Sequence, residues 1–182
     1  MPFRILGLSP EPFAPLLNLD DEALLARGVH RFVAEEPYAA PCRVSLQDAE
    51  PGERLLLLNY EHQPAASPFR ASGPIFVREN ALAAFDAADV VPDVLLRRTL
   101  SARAYDVAAM MVKGQVVPGV ETAGLLTDWL ADSGVTEVHL HYAARGCFAA
   151  RALRSGVAPS PREGRGGSDT RPADRGGPWP DA

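Results

Sequence analysis

The sequence predicts an α+β domain with a mixed or largely antiparallel sheet and a few helices packed on it. Short apolar segments, several of them alternating with polar residues, recur over the first 154 residues and are separated by turn residues. A strongly amphipathic helix pattern covers residues 121–131, and tight turns join neighbouring segments. Strands interrupted by helices and local hairpins are typical of this class.

The composition limits the class of protein. The 182 residues, 47% of them hydrophobic and 23% charged, fit one ordinary globular domain. A net charge of -5 disfavours nucleic-acid binding, because phosphate backbones are also negative. The chain shows no apolar run typical of a signal peptide or a transmembrane helix, and its two cysteines do not make a disulfide scaffold. We expect a cytoplasmic protein with free thiols and with neither nucleic-acid nor membrane partners.

The composition changes sharply between Arg154 and Ser155. In residues 155–182, Gly and Pro supply 11 of the 28 residues, and Val157 and Trp179 are the only large apolar side chains. Such a segment buries too little apolar surface to offset the entropy cost of ordering it. We therefore expect a single α+β domain over residues 1–154, followed by a disordered tail rich in Gly, Pro and Arg over residues 155–182.

The elements of the N-terminal half follow from turn signals and apolar runs. Residues 3–8 predict a strand, a helix begins after the N-cap Asp20 and ends before Gly28, and residues 29–34 predict a second strand. The continuous run Leu55–Leu58 indicates a central strand covered on both faces.

Two further predictions concern the segments around that central strand. Residues 42–46 are expected to pair with residues 54–60 as a hairpin. Residues 61–74 contain three prolines and a glycine and predict a long loop, and loops of that length are often functional. A short strand is expected at residues 75–77.

The C-terminal half alternates short strands with helices. A turn of helix is expected at residues 93–97, and strands at residues 100–106 and 110–117. Alternation in the first of these strands places Ser101, Arg103 and Tyr105 on one face. After the amphipathic helix, strands at residues 135–142 and 147–153 are joined by a tight turn.

Two histidines lie two residues apart on a predicted strand. His139 and His141 therefore point to the same side of the sheet. Neutral imidazoles can converge on a divalent metal such as Zn, with His62, Glu61 or Cys147 as a third ligand. Two other interpretations stay open, namely a hydrogen-bonded or solvated sheet face without metal, and an acid–base role.

Cys147 is a candidate nucleophile in the same hairpin. It follows the histidine pair across the turn, and a neighbouring imidazole or Arg145 favours the thiolate form. The alternative is a small core residue at the start of a packed strand.

Arginines suggest an anion site. A guanidinium group, together with free backbone amides in a glycine-containing loop, can hold a carboxylate or a phosphate. The alternative is a surface loop shaped by its prolines, with Arg103 and Asp106 as a structural ion pair. The candidate ligand-binding residues are Arg70, Ser72, Arg78, Arg103, Asp106 and Arg145.

Several segments together resemble a small bacterial family known as domain of unknown function 1203. The segments are Phe13–Leu16, Pro41–Leu46, Asn59–Gln63, Ser72–Arg78, Arg103–Asp106, and His139–Tyr142 with Gly146–Ala149. The resemblance extends over about residues 2–154. It implies no established activity, substrate or cofactor.

Two hypotheses of function follow. The first is a small cytoplasmic enzyme of the hydrolase or transferase type, with or without a metal, that acts on an anionic small molecule in a pocket lined by His, Arg and Cys. Its catalytic candidates are His62, His139, His141 and Cys147. The second is a non-catalytic module that binds a ligand or a protein through the same polar face.

Overall fold

A computed structural model describes residues 2–156, which form two antiparallel sheets with four short helices. The strands are β1 (Phe3–Leu6), β2 (His30–Val33), β3 (Arg54–Gln63), β4 (Ala71–Arg78), β5 (Asp86–Ala88), β6 (Thr99–Tyr105), β7 (Met111–Pro118), β8 (Glu137–Tyr142) and β9 (Phe148–Arg154). The helices are α1 (Ala14–Leu17), α2 (Asp21–Leu25), α3 (Asp93–Leu96) and α4 (Thr122–Ala131). The predicted α+β class and the largely antiparallel sheet are confirmed. The predicted tail lies almost wholly outside the described residues.

The larger sheet has six strands in the order β5-β1-β9-β8-β6-β7. Helix α4 packs against β1, β8 and β9 on one face of this sheet. Alternate strand residues such as Ile5, Ala102 and Leu140 are buried there with Leu126 and Leu130 of the helix. The helix-covered face is therefore the main hydrophobic core.

The opposite face of the same sheet carries polar side chains. Because successive strand residues point to opposite sides, the residues between the core positions of β6 and β8 all lie on this face. The facing pairs are Ser101 with His141, Arg103 with His139, and Tyr105 with Glu137. The predicted alternation of both strands is confirmed.

The smaller sheet has three strands in the order β2-β3-β4. Leu56 and Leu58 of the central strand pack in a second core with Phe13 and Leu24. Leu55 points to the other side and is buried in a small separate cluster. The leucine run is thus covered on both faces, as its continuous apolar pattern predicts.

The predicted hairpin between residues 42–46 and β3 is wrong. Strand β3 pairs with β2 and β4 instead. The segment around Arg43 connects the two sheets, because its N–H donates to Phe76 O (2.9 Å) and its carbonyl accepts from Leu8 N (2.7 Å). Its backbone hydrogen bonds are therefore not available for a hairpin partner.

The predicted long loop at residues 61–74 is wrong as well. Strand β3 continues to Gln63 and β4 begins at Ala71, so the connection is only residues 64–70. Pro74 lies inside β4 opposite Asn59. An edge strand such as β4 tolerates proline, because one side of its backbone needs no ladder hydrogen bond.

Other local predictions are confirmed within a few residues. Asp20 caps α2 by accepting from Ala23 N (2.8 Å), and the amphipathic pattern forms α4. Residues 79–92, which carry no clear pattern, contain the short edge strand β5. Ser155 follows β9 and donates its hydroxyl to Phe3 O (2.7 Å). Within residues 2–156, no helix is long and apolar enough to cross a membrane.

Gly119 lies where two backbones come close together. A Cβ at this position would lie 2.0 Å from Leu95 O, whereas a Cβ at Gly124 in α4 would meet nothing within 4 Å. We expect Gly119→Ala to lower the free energy of unfolding by about 2–4 kcal/mol. Gly124→Ala should raise it by about 0.8–1 kcal/mol, because alanine is the better helix former. Chemical denaturation of both variants measures this, and equal effects would contradict the close approach.

Glu53 should make the free energy of unfolding depend on pH. Its hydrogen bond from Arg78 (2.6 Å) lowers its pKa from 4.5 to about 2. A depressed carboxyl pKa stabilises the fold above the unfolded value of 4.5, and the contribution is lost as pH falls towards the folded value. We expect Glu53→Gln to cost about 1 kcal/mol at pH 7, a modest value for a partly exposed pair.

The difference between Glu53→Gln and the native chain should shrink when unfolding is measured at decreasing pH between these two values. Glu35, which is exposed, provides the control, since Glu35→Gln should leave stability unchanged at every pH. A constant difference across the pH range would contradict the ionic origin of this effect.

Candidate metal centre

Three of the four histidines converge on the polar face of the larger sheet. One ring nitrogen from each of His62, His139 and His141 lies within 4.8 Å of the other two. We call this group the histidine cluster. His139 and His141 are almost wholly buried, with 2% and 0% of their surface exposed, and His62 is half-buried.

The two sheets each contribute to the cluster. His139 and His141 are alternate residues of β8, so the strand itself places them side by side. His62 comes from the end of β3, next to an irregularity in the pairing of β3 with β4 between Glu61 and Gln63. The smaller sheet thus delivers the third imidazole to a face that the larger sheet builds.

Phe148, the first residue of β9, holds the three rings in place. His62 stacks on it in parallel with ring centroids 5.0 Å apart, and His139 and His141 meet it edge-on at 5.4 and 5.7 Å. Tyr105 contacts the other side of the cluster, with its ring 4.8 Å from that of His139. The imidazoles are therefore in contact with aromatic rings rather than with solvent.

Each histidine keeps one buried ring nitrogen without a hydrogen-bond partner. These atoms are His62 Nδ1, His139 Nδ1 and His141 Nε2. A buried polar atom without a partner costs about 1–3 kcal/mol, so such atoms are uncommon in native proteins. Three in one cluster indicate that something else satisfies them.

The remaining nitrogens of the β8 pair are oriented by neighbours. His141 Nδ1–H donates to Gly146 O (3.0 Å), because a carbonyl oxygen can only accept, and this leaves Nε2 as the nitrogen with a lone pair. His139 Nε2 lies 3.6 Å from the Glu137 carboxylate. Metal-ligating histidines are typically held by such carbonyl and carboxylate neighbours.

Burial favours the neutral form of His62 and His141 at physiological pH. Burial lowers the pKa of His62 to about 4, helped by the nearby His139 and Arg103. Burial also lowers the pKa of His141 to about 3, although the hydrogen bond to Gly146 opposes the shift. Neutral imidazole is the form that binds metals.

The spacing is close to what a small divalent ion requires. In tetrahedral geometry, Zn–N bonds of about 2.0–2.1 Å place ligand nitrogens about 3.3 Å from one another. The observed separations of up to 4.8 Å are wider than this, so the rings would have to move closer together to bind Zn. The donor set of nitrogens alone suits Zn and other first-row transition metals better than Ca or Mg, which prefer oxygen.

Charged groups surround the cluster. Glu137 is buried, and its other oxygen lies 3.8 Å from Arg151 Nη1. Arg103, which faces His139 across the β6–β8 ladder, contributes to lowering the pKa of both His62 and His141. The site thus combines one buried carboxylate with a guanidinium group close to the imidazoles.

The other residues predicted from the central loop do not reach the cluster. Glu61 pairs with Arg70 instead of joining the three nitrogens. Arg78 binds Gln47 Oε1 (2.8 Å) and Glu53, and Ser72 is exposed on β4. Glu61, Ser72 and Arg78 lie on paired strands and Arg70 lies in the connection of residues 64–70, since the predicted loop at residues 61–74 is mostly strand.

Three further predicted residues lie elsewhere. Asp106 closes a turn by accepting from the N–H groups of Ala108 and Met110, both at 2.9 Å. Cys147 and Arg145 lie in the β8–β9 turn and line a different cavity, together with Tyr142. His141 and Tyr142 are consecutive on β8, so their side chains leave the sheet on opposite sides.

Sequence reasoning assigned no role in the cluster to the residues that support it. Glu137 is readable from the sequence as sharing the strand face with both histidines. Alternation likewise places Tyr105 on one face with Arg103, but neither Tyr105 nor Phe148 carries a signal of contact with the histidines, because an aromatic residue at a strand position most often belongs to an ordinary core. Arg43, buried at 2% exposure behind the same hairpin, was also not recognisable.

Comparisons with known proteins give one match. A search of curated proteins finds no similar chain, and a search of solved structures finds none either. The family model described as protein of unknown function (DUF1203) matches residues 39–154. These residues include all three cluster histidines and every strand from β3 to β9. The chain therefore belongs to the DUF1203 family.

Proposed function

We propose that the histidine cluster binds a divalent transition metal, with Zn as the best fit, and that the protein is a metal-dependent enzyme. The observation that carries the proposal is the set of three buried imidazole nitrogens without hydrogen-bond partners in one cluster of histidines. A metal ion would satisfy all three nitrogens at once, whereas the Glu137 carboxylate lies near His139 Nε2 and not near the unpartnered Nδ1.

The number of ligands favours catalysis over a structural role. Structural zinc sites usually have four protein ligands, whereas catalytic sites keep three and leave one position for water or substrate. Among residues 2–156, the metal-type cluster contains only His62, His139 and His141. A fourth position would thus remain for a small molecule.

Neighbouring residues would have distinct tasks in such a site. Gly146 O holds His141 in the orientation that frees the lone pair on Nε2, and the Glu137 carboxylate lies 3.6 Å from His139 Nε2. Arg103 places positive charge beside the cluster and would attract and orient an anionic substrate. A bound divalent ion would supply Lewis-acid catalysis and activate water. We therefore propose a hydrolase or transferase of the cytoplasm that acts on an anionic small molecule.

A non-catalytic module is the second candidate. The near-complete burial of His139 and His141 favours it, because a deeply buried site limits the access of substrate. In this case the histidines would hold a metal, or pack around Phe148, without turning over any molecule. The two candidates differ in activity and not in fold.

Metal analysis of the full chain tests the centre. After loading with Zn and dialysis, we expect about one ion per chain. His62→Ala should weaken Zn binding by about 100-fold or more, equivalent to about 2.7 kcal/mol. His62 is the least buried ligand, so this variant should still fold, which circular dichroism checks.

His30→Ala provides the matched control, since His30 is exposed on β2 and lies outside the cluster. Cys147→Ser should also leave the Zn stoichiometry unchanged, because Cys147 does not belong to the cluster. Zn binding that His62→Ala leaves intact, or the absence of Zn from the loaded native chain, would exclude the proposed centre.

Hydrolysis of chromogenic anions separates the two candidates. The loaded protein should hydrolyse a p-nitrophenyl phosphate ester faster than the chelator-treated protein. Arg103→Gln should slow this reaction more than it slows hydrolysis of neutral p-nitrophenyl acetate. Stoichiometric metal without turnover of either ester would favour the non-catalytic module.

A further inference from the structure

A cavity lies where the two sheets meet, on the side of the β8–β9 hairpin opposite to the histidine cluster. Its volume is about 740 Å³, within the range of about 300–1,000 Å³ that is common for small-molecule sites. Strands β3 and β4 form one wall, and Tyr142 and the turn before β9 form another. We call this the arginine cavity, because Arg43, Arg98 and Arg145 line it.

Arg43 lines this cavity and is unusually buried for a charged residue. Only 2% of its surface is exposed, and no acidic side chain of residues 2–156 forms an ion pair with it. Its Nε donates to Phe148 O (2.8 Å) and its Nη1 to Pro41 O, while Nη2 has no hydrogen bond within the described chain. Burial lowers the pKa of Arg43, as expected for a cation with little solvation.

A buried cation without a counter-ion is costly and calls for an anionic partner. Arg98 does not supply the missing negative charge, since it is itself neutralised by a bidentate ion pair with Asp48. Arg145 is exposed in the turn and adds a second positive charge, with no ion pair to any described acid. The cavity therefore carries an excess of about two positive charges.

Tyr142 adds a hydroxyl group that lacks a partner. Two guanidinium groups lie close to its ring, with Arg43 Cζ at 5.0 Å and Arg98 Cζ at 5.3 Å from the centroid. Its hydroxyl is buried without a hydrogen bond, and burial raises its pKa to about 12, so the proton stays on the oxygen. This hydroxyl is a donor that an anionic oxygen could use.

The remaining wall is apolar. Leu57 of β3, with Phe76 and Pro74 of β4, faces the arginines across the cavity. A ligand that fills the space must therefore combine an anionic head with an apolar body, because a bare inorganic ion would leave this wall unused.

We propose that the arginine cavity binds a small organic anion, whose carboxylate or phosphate head is held by Arg43, Arg145 and Tyr142 while its apolar body packs on Leu57 and Phe76. Guanidinium groups recognise both head groups through paired N–H donors. The site needs no metal, and consecutive residues of β8 separate it from the histidine cluster. It is therefore independent of the proposed metal chemistry.

Cys147 provides a direct reporter of occupancy. Its thiol lines the cavity and is partly exposed, whereas Cys42, the other cysteine, is fully buried. The neutral reagent iodoacetamide should therefore alkylate the folded full-length chain at Cys147, and Cys147→Ser should abolish this reaction. A bound ligand should slow the alkylation in a saturable way.

Three probes of similar size identify the chemistry. Phenyl phosphate and benzoate carry the two candidate head groups on an aromatic body, and benzamide is the neutral counterpart. At constant ionic strength we expect at least one anion to protect Cys147 at a concentration about tenfold lower than benzamide requires. The same protection should persist after chelator treatment, which separates this site from the metal centre.

Two variants test the residues. Arg145→Gln removes an exposed charge and Tyr142→Phe removes only a hydroxyl without a partner, so both should fold. Each should raise the protecting concentration of the anion several-fold. Arg27→Gln, which removes an exposed arginine outside the cavity, should leave it unchanged.

The proposal would be overturned by equal protection from benzamide and the anions, or by no protection from any probe. Protection that persists unchanged in both Arg145→Gln and Tyr142→Phe would overturn it as well. The Zn content of the native chain bears on none of these outcomes.

Discussion

The packing of Phe148 is the interaction on which both sites depend. Its ring contacts all three imidazoles, and its carbonyl accepts from the guanidinium of Arg43 on the other side of the hairpin. The stacked contact with His62 also brings the smaller sheet against the larger one. This ring is part of the packing that buries the imidazoles, and burial lowers the pKa of His62 and His141.

Alternation along strands made much of the cluster predictable. The spacing of His139 and His141 required a shared face, and a two-residue period needs no knowledge of tertiary structure. The position of His62 was not predictable, since it depends on how the second sheet docks on the first. The approach of residues distant in sequence is decided by packing across the whole domain, which a local pattern does not encode.

The two incorrect fold predictions have different physical origins. The prolines of residues 61–74 did not prevent β4 from pairing with its neighbour β3, whereas the turn residues at 48–53 were outweighed because the backbone of Arg43 bonds to Leu8 and Phe76. Pro74 is accommodated because β4 lies at a sheet edge, and the backbone of Arg43 is used to join the two sheets. At Arg43, local propensity fails because the backbone finds its partners far along the chain.

The turn between β8 and β9 has a length that is under unusual constraint. Gly146 adopts a left-handed conformation (φ 71°) there, and its carbonyl also fixes the tautomer of His141. Inserting or deleting one residue in this turn would shift β9 by one position. The side chains of Cys147 and Phe148 would then exchange faces of the sheet. The histidine cluster and the arginine cavity would each lose a residue that lines it. Surface turns usually tolerate changes in length, but this turn therefore does not.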